Sequence, residues 1–167
     1  FLSLCETGCQ VMYTTHDPAF VSVSRFDDIH TVAVVRGEKQ HTTVHSSSLA
    51  ELKKKEAFRR ACRCRADESI RKELEHKCQG EQNEGFFADR IILVEGSTES
   101  YALPVYFARL GYDLDENNTV ILRAQSKTLL QLLCVIFSSC KIPCYCIFDG
   151  DKPEDSLYSR YMTSQPM

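Results

Sequence analysis

The stretch of sequence that decides the fold reads Ile91-Ile92-Leu93-Val94-Glu95-Gly96-Ser97-Thr98-Glu99. Its four consecutive apolar residues are typical of a parallel strand that is buried on both faces. The next residues turn the chain, and Ser97 or Thr98 is suited to cap an amphipathic helix that we expect to run to about Leu110. The stretch therefore predicts a strand that leads directly into a helix, with an acidic residue at the junction.

The same alternation continues downstream. We predict a second strand over 119–122, a second helix over 127–139 and a third strand over 143–148. This β-α-β-α-β order implies a parallel sheet with right-handed crossovers. The predicted fold class is therefore α/β, with a Rossmann-type parallel sheet flanked by helices, and ligands bind such sheets at the carboxyl ends of the strands.

Acidic residues lie at these predicted strand ends. Glu95 directly follows the first strand and Asp149 the third, with Glu99 and Asp151 close by in the sequence. Four carboxylates in a partly buried cleft repel one another, and a divalent cation removes that repulsion. Oxygen ligands of this kind suit Mg²⁺ or Mn²⁺. The alternative is that these acids only cap strand ends and helix N-termini.

The upstream half has a different pattern. Ser48 is suited to cap a helix, and Glu51 completes a capping box with it. The predicted features are, in chain order, a β-rich run over 11–15, a hairpin of 32–35 and 42–44, helical pattern to about Cys78 with a break near 65–67, and a polar linker over 79–85.

Charge is unevenly distributed along the chain. The net charge is −3, but the segment 53–77 has ten basic and five acidic residues and carries +5, which leaves −8 elsewhere. Such a segment could follow a phosphate backbone. The alternative is a solvated pair of helices with i,i+4 ion pairs such as Glu68–Lys72 and Glu73–Lys77, and the mixed charges favour it slightly.

Composition excludes several classes of protein. The chain has 167 residues, 43% hydrophobic and 26% charged, which fits a globular protein with a core and excludes collagen-like and wholly disordered chains. No apolar run is long enough to span a membrane. Nine cysteines at irregular spacings indicate a reducing cytosol rather than a disulfide framework. Cys144 and Cys146 are better explained as buried small residues on one strand face than as zinc ligands.

The motif residues carry a family resemblance. The stretch 93–99, followed by Phe148-Asp149-Gly150-Asp151, resembles the TOPRIM domain of bacterial primases, some topoisomerases and the OLD (overcoming lysogenization defect) family of ATP-dependent nucleases. The approach Phe86-Phe87-Ala88-Asp89-Arg90 is similar to the OLD branch. Upstream, the stretch 11–20 resembles the last strand of that family's ABC-type ATPase, with His16 as its switch histidine.

The resemblance implies a metal-dependent DNA endonuclease or nickase that is coupled to an ATPase. It implies two Mg²⁺ or Mn²⁺ ions, with Glu95 and Glu99 on one and Asp149 and Asp151 on the other. It also makes Glu95 a proton acceptor for the attacking water. Lys127 or Lys152 is a candidate to stabilise phosphoryl charge, although a solvated surface lysine is the favoured interpretation of each. A cytoplasmic homodimer, with ATP bound only by the full-length protein, is expected.

The resemblance also divides the chain. We expect 1–47 to be the edge of the ATPase domain, 48–85 a basic helical connector, and 86–167 a TOPRIM domain truncated at its C-terminus. No G-x-x-x-x-G-K-[ST] motif occurs and the first residue is not Met, so we expect a piece of a longer protein. Two other functions stay open: a catalytically silent DNA-binding or dimerisation fragment, and a phosphatase of the haloacid dehalogenase type, in which Asp149-Gly150-Asp151 is the nucleophile motif.

Overall fold

The computed structural model describes residues 7–35, 39–62, 66–78 and 80–150. Within these ranges the chain forms five strands, five α-helices and three short 3-10 helices. The strands are β1 (His30–Val35), β2 (His41–Ser46), β3 (Arg90–Val94), β4 (Thr119–Arg123) and β5 (Cys144–Ile147); the α-helices are α1 (Leu49–Leu52), α2 (Glu56–Cys62), α3 (Asp67–Lys77), α4 (Ser97–Arg109) and α5 (Lys127–Ser139); the 3-10 helices are Pro18–Phe20, Val23–Asp28 and Glu81–Phe87.

Three strands form the predicted parallel sheet, in the order β4-β3-β5. The central strand β3 is buried from Ile91 to Val94 because strands flank both of its edges and helices cover its faces. In the register, Val94 lies beside Arg123 of β4 and Ile147 of β5. All three strands therefore end at one edge of the sheet, as the α/β prediction requires.

Helix α5 covers one face of this sheet. Its bounds agree with the prediction, and the Ser126 side chain caps it by accepting a hydrogen bond from the main-chain amide of Leu129 over 3.2 Å. Eight of its residues are buried, which anchors the sheet to the upstream helix α2 through the same core. No described helix has the length and apolarity that crossing a bilayer requires.

Helix α4 covers the other face less completely. It has no buried residue; Tyr101 is 76% exposed, and Leu110, directly after the helix, is 81% exposed. The cap predicted at Ser97 or Thr98 is wrong, because Gly96 holds the N-cap position and makes no side-chain bond there. The chain turns so soon after β3 that Ser97 and Thr98 are already inside the helix.

The linker predicted over 79–85 is wrong for its described part. Residues Glu81–Phe87 form a 3-10 helix in which Gln82 and Asn83 are 2% and 8% exposed. Their amides bond to distant main-chain groups, including Arg123 O and Val21 O. Polar composition predicted exposure here, but these hydrogen bonds satisfy the amides inside the protein.

The upstream predictions are met in part. The hairpin is confirmed by the antiparallel pairing of β1 with β2, and the Ser48 cap by its bond from the amide of Glu51. The helical stretch has an additional break at residues 53–55, and its predicted break falls partly on residues outside the described ranges. The β-rich run 11–15 forms no strand, because none of the described strands pairs with it.

The basic segment 53–77 contains several ion pairs. Lys72 pairs with Glu68 and Lys77 with Glu73, as predicted for neighbouring turns of one helix. Other basic side chains of the segment also have acidic partners: Lys53 with Asp67, Arg60 with Glu56 and Arg71 with Asp27. These pairs neutralise much of the local charge and favour the solvated-helix interpretation.

Candidate active site

The candidate site begins where β3 ends. The main-chain amide of Glu95 donates to Ile147 O over 3.2 Å, which continues the pairing of β3 with β5 one residue beyond the strand. On the other side of β3, Ala124 donates to Val94 O over 2.8 Å. The backbone that carries the half-buried Glu95 is therefore held from both neighbouring strands.

Asp149 reaches Glu95 from β5. The main-chain amide of Asp149 donates a hydrogen bond of 3.4 Å to Glu95 Oε2. This contact brings together the acids that follow the first and third strands of the sheet. Asp149 itself is exposed, so its carboxylate is accessible to a ligand at the edge of the sheet.

The carboxylate of Glu99 turns back toward the same edge. It lies in the first turn of α4, where a negative charge also interacts favourably with the helix dipole. A Cβ built on Gly96 would lie 2.8 Å from Glu99 Oε2, so this carboxylate folds over the bare glycine backbone. The absent side chain at 96 thus gives the Glu99 carboxylate room over the residue that follows Glu95.

The end of β4 adds positive charge at this edge. Lys127 is half-buried at the first position of α5, and the turn before it contains Gln125 with φ +60°, a conformation that usually favours glycine. Arg123 ends β4 beside Val94, and among the described residues nothing hydrogen-bonds its buried Nε. Sequence reasoning missed Arg123, although its place directly at a strand end, like that of Glu95, was a usable signal.

The sequence also predicted Asp151 and His16 as functional residues. Asp151, like Lys152, is outside the described residues. His16 is exposed in an irregular segment before the 3-10 helix Pro18–Phe20, and within the described ranges it makes no hydrogen bond or ion pair. The site geometry therefore rests on Glu95, Glu99 and Asp149.

The carboxylate groups of the candidate site are chemically suited to bind a hard divalent cation. Glu95, Glu99 and Asp149 supply carboxylate oxygens at one sheet edge, and such oxygens are the ligands of Mg²⁺ and Mn²⁺. Across the described ranges, no three or more histidine, cysteine or acidic side chains are gathered closely enough to hold a metal ion. The three carboxylates therefore do not form a closed protein cage for an ion.

Comparison with known proteins places this edge in a family context. Residues 86–151 match the family model described as "Overcoming lysogenization defect protein-like, TOPRIM domain". A relative from Thermus scotoductus (strain ATCC 700910 / SA-01), named OLD nuclease, is 27% identical over 154 residues, which make up 89% of this chain and 26% of the relative. The chain thus spans about a quarter of the length of that curated relative. The parallel sheet, the strand-end acids and these matches agree, and together they support a TOPRIM domain of the OLD type at residues 86–151.

Proposed function

We propose that this chain is part of a DNA endonuclease or nickase that cleaves phosphodiester bonds at the carboxyl edge of its TOPRIM sheet. The observation that carries the proposal is the contact between Glu95 and Asp149, which joins two acids of the matched domain at one point. The name of the Thermus relative, OLD nuclease, supports the nuclease class. In the whole protein, we expect an ATPase to be coupled to this domain.

The cofactor that fits is Mg²⁺ or Mn²⁺, as two ions. Glu95 and Glu99 would hold one ion, and Asp149 with Asp151 the other. When bound, such ions lower the pKa of water and neutralise the charge of a phosphate. An ion held by only one or two carboxylates keeps several water ligands, which the oxygens of a substrate phosphate can replace.

The side chains of the site have separate tasks in this proposal. Glu95 is half-buried and fixed by main-chain bonds on both sides of β3, so its carboxylate can accept a proton from a water at a constant position. Lys127 and Arg123 lie at the end of β4 and start of α5, where a cation would stabilise charge that develops on the phosphoryl oxygens.

Three further expectations concern the whole protein. DNA is the expected substrate, a cytoplasmic homodimer is the expected assembly, and His16 is the expected switch residue of an ATP site. The exposure of His16 leaves its ring accessible to such a partner site. The ion pairs of residues 53–77 make the basic helices a weaker candidate for the DNA contact than the edge of the sheet.

The test uses the full-length protein that contains this chain. Asp149→Asn should abolish cleavage of supercoiled plasmid in Mn²⁺, while ATP hydrolysis stays near the wild-type rate because the ATP site is separate. The matched control is Asp115→Asn, an exposed aspartate in the loop before β4. Plasmid cleavage by Asp149→Asn at the wild-type rate, with equal protein and Mn²⁺, would show the proposed site to be wrong.

A further inference from the structure

A cluster of three cysteines lies beneath the sheet, on the face that α5 covers. Cys144 and Cys146 of β5 lie in register with Ile91 and Leu93 of β3. Both β3 residues belong to the hydrophobic core, and both cysteines pack against that core. The intervening Tyr145 is 60% exposed on the opposite face. The alternation of β5 thus directs both thiols toward α5.

The third cysteine comes from α5 itself. Cys134 is 5% exposed and belongs to the same core. Its thiol interacts with both Cys144 and Cys146, and Ser138 Oγ lies 4.0 Å from its Sγ. Helix α5 is followed directly by β5, so only the short connection 140–143 separates the two elements. The cluster therefore joins neighbouring elements that already pack together.

The three thiols of the cluster change one another's pKa values. Hydrogen bonds from Cys144 and Cys146 hold the pKa of the Cys134 thiol below its usual range, against the opposing effect of burial. The interaction with Cys134, together with burial, raises the pKa of both strand thiols. By contrast, burial raises the pKa of Cys140, six residues further along the chain. The geometry gives the same pairing, because the two β5 thiols face the core to which Cys134 of α5 belongs, and a disulfide needs two such neighbouring thiols.

We propose that Cys134 forms a reversible disulfide with one of the two β5 cysteines when the protein meets a peroxide. One thiolate of the pair attacks a peroxide oxygen; an S–O bond forms, the O–O bond breaks, and hydroxide leaves as water. The second thiol then attacks this sulfenic acid sulfur; an S–S bond forms, and the S–O oxygen leaves as a second water. The two thiols lose two electrons, and one hydrogen peroxide gains them.

The proposed disulfide would involve the strand that leads to Asp149. Cys146 precedes Asp149 by three residues. Between them, Ile147 O accepts a hydrogen bond from the main-chain amide of Glu95. A covalent link from α5 to β5 therefore constrains the strand that carries Asp149. Formation of the disulfide is independent of the proposed nuclease function, whereas any effect of the disulfide on cleavage rests on it.

The experiment treats the reduced 167-residue chain with hydrogen peroxide, alkylates the remaining thiols and maps cross-linked peptides by mass spectrometry. We expect a peptide that joins residue 134 to residue 144 or 146, formed before cysteine sulfonic acids and removed by dithiothreitol. A bond that joins other cysteines, or irreversible sulfonic acid alone, would overturn the proposal. This arm uses the wild-type chain and does not depend on the folding of any variant.

Two variants provide a matched comparison. Cys134→Ser should lose the cross-link, whereas Cys140→Ser, which removes a buried cysteine that follows α5, should keep it. Cys134→Ala replaces Cys134→Ser if circular dichroism shows that the serine variant is unfolded. If peroxide removed as many free thiols from folded Cys134→Ser or Cys134→Ala as from the wild type, the assignment of Cys134 would be contradicted.

Discussion

The main-chain amide of Asp149 donates a hydrogen bond to Glu95 Oε2 across 54 residues of sequence. The contact is possible because β3 and β5 are neighbours and both end at this edge. The amide occupies one carboxylate oxygen of Glu95 and leaves Oε1 for a ligand. One residue thus supplies the site with both a carboxylate and a fixed hydrogen-bond donor.

The first prediction concerns metal binding by this edge. Glu95→Gln removes a charged oxygen ligand, so we expect Mn²⁺ affinity to fall by about tenfold or more, measured by isothermal titration calorimetry on the chain. Glu116→Gln, an exposed glutamate in the loop before β4, is the control and should bind Mn²⁺ as the wild type does. Equal affinity of Glu95→Gln and wild type would contradict the metal assignment.

Gly96→Ala tests the place of Glu99 in the same site. The backbone at 96 is extended, with φ −116° and ψ 175°, so alanine introduces no backbone strain. Its Cβ would lie 2.8 Å from Glu99 Oε2, and the flexible carboxylate must move. We expect weaker Mn²⁺ binding with an unchanged melting temperature. A lower melting temperature with unchanged Mn²⁺ affinity would instead assign Gly96 a purely structural role.

The packing of the 3-10 helix Glu81–Phe87 onto α5 gives a prediction about stability. A Cβ built on Gly85 would lie 2.6 Å from Cζ of Phe137 and 3.0 Å from Cδ1 of Leu122. Both side chains are fully buried, so neither can move away freely. Gly85→Ala should therefore lower the free energy of unfolding by about 1–3 kcal/mol, measured by urea denaturation.

Gly150→Ala is the matched control for this change. A Cβ at Gly150 would meet nothing within 4 Å, so we expect its free energy of unfolding to stay within about 0.5 kcal/mol of the wild type. If both alanine variants were equally stable, close packing at Gly85 would not be the reason for glycine at that position.

The elements that sequence predicted best are those whose pattern and caps agree. Helix α5 combines an N-cap serine with a long apolar stretch, and β3 is a short apolar run that ends in a turn. Burial of both follows from their composition, because no other placement removes so much apolar surface from water. The acids at the strand ends followed from topology, since parallel strands bring their carboxyl ends to one edge.

What sequence did not predict depends on partners far along the chain. The amides of Gln82 and Asn83 are buried because Arg123 O and Val21 O lie within reach, and no local pattern contains that information. The run 11–15 has strand-forming residues but no described strand beside it, and propensity cannot supply one. The turn at Gln125 takes a positive φ without glycine, so the residue types of the turn do not indicate this conformation.

Asn83 supplies a prediction about how the N-terminal segment is attached. Its Oδ1 accepts a hydrogen bond of 3.1 Å from the amide of Val23, and its Nδ2 donates one of 2.8 Å to Val21 O. Asn83→Ala removes the hydrogen-bond partner of both the Val23 amide and Val21 O. We expect the free energy of unfolding to fall by about 2–3 kcal/mol, measured by urea denaturation.

The control for Asn83 is Gln40→Ala, which truncates an exposed amide in the hairpin loop. This change should leave the free energy of unfolding within about 0.5 kcal/mol of the wild type. Hydrogen exchange adds a local readout, because the amide of Val23 should lose protection in Asn83→Ala and keep it in Gln40→Ala. Retained protection at Val23 in Asn83→Ala would rule out the proposed attachment.

The last prediction concerns the pH dependence of stability. Arg71 holds Asp27 through hydrogen bonds of 2.8 and 2.5 Å, and these bonds keep the pKa of Asp27 below 3.8 despite partial burial. A carboxyl group whose pKa is lower in the folded state binds protons more readily when unfolded. Its stabilising effect is therefore complete above pH 3.8 and is lost as the pH falls through the lower, folded-state value.

We expect Asp27→Asn to lower the free energy of unfolding by about 1 kcal/mol near neutral pH, a value reduced for the partial exposure of Arg71. The difference from wild type should shrink below about pH 4, when the wild-type carboxyl group is itself protonated. Asp28→Asn breaks the exposed pair with Arg25 and should cost less at neutral pH. Urea denaturation across this pH range measures the free energy of unfolding of both variants and the wild type. If the difference between Asp27→Asn and the wild type did not change as the pH fell, protonation of Asp27 would not be the cause of the pH dependence.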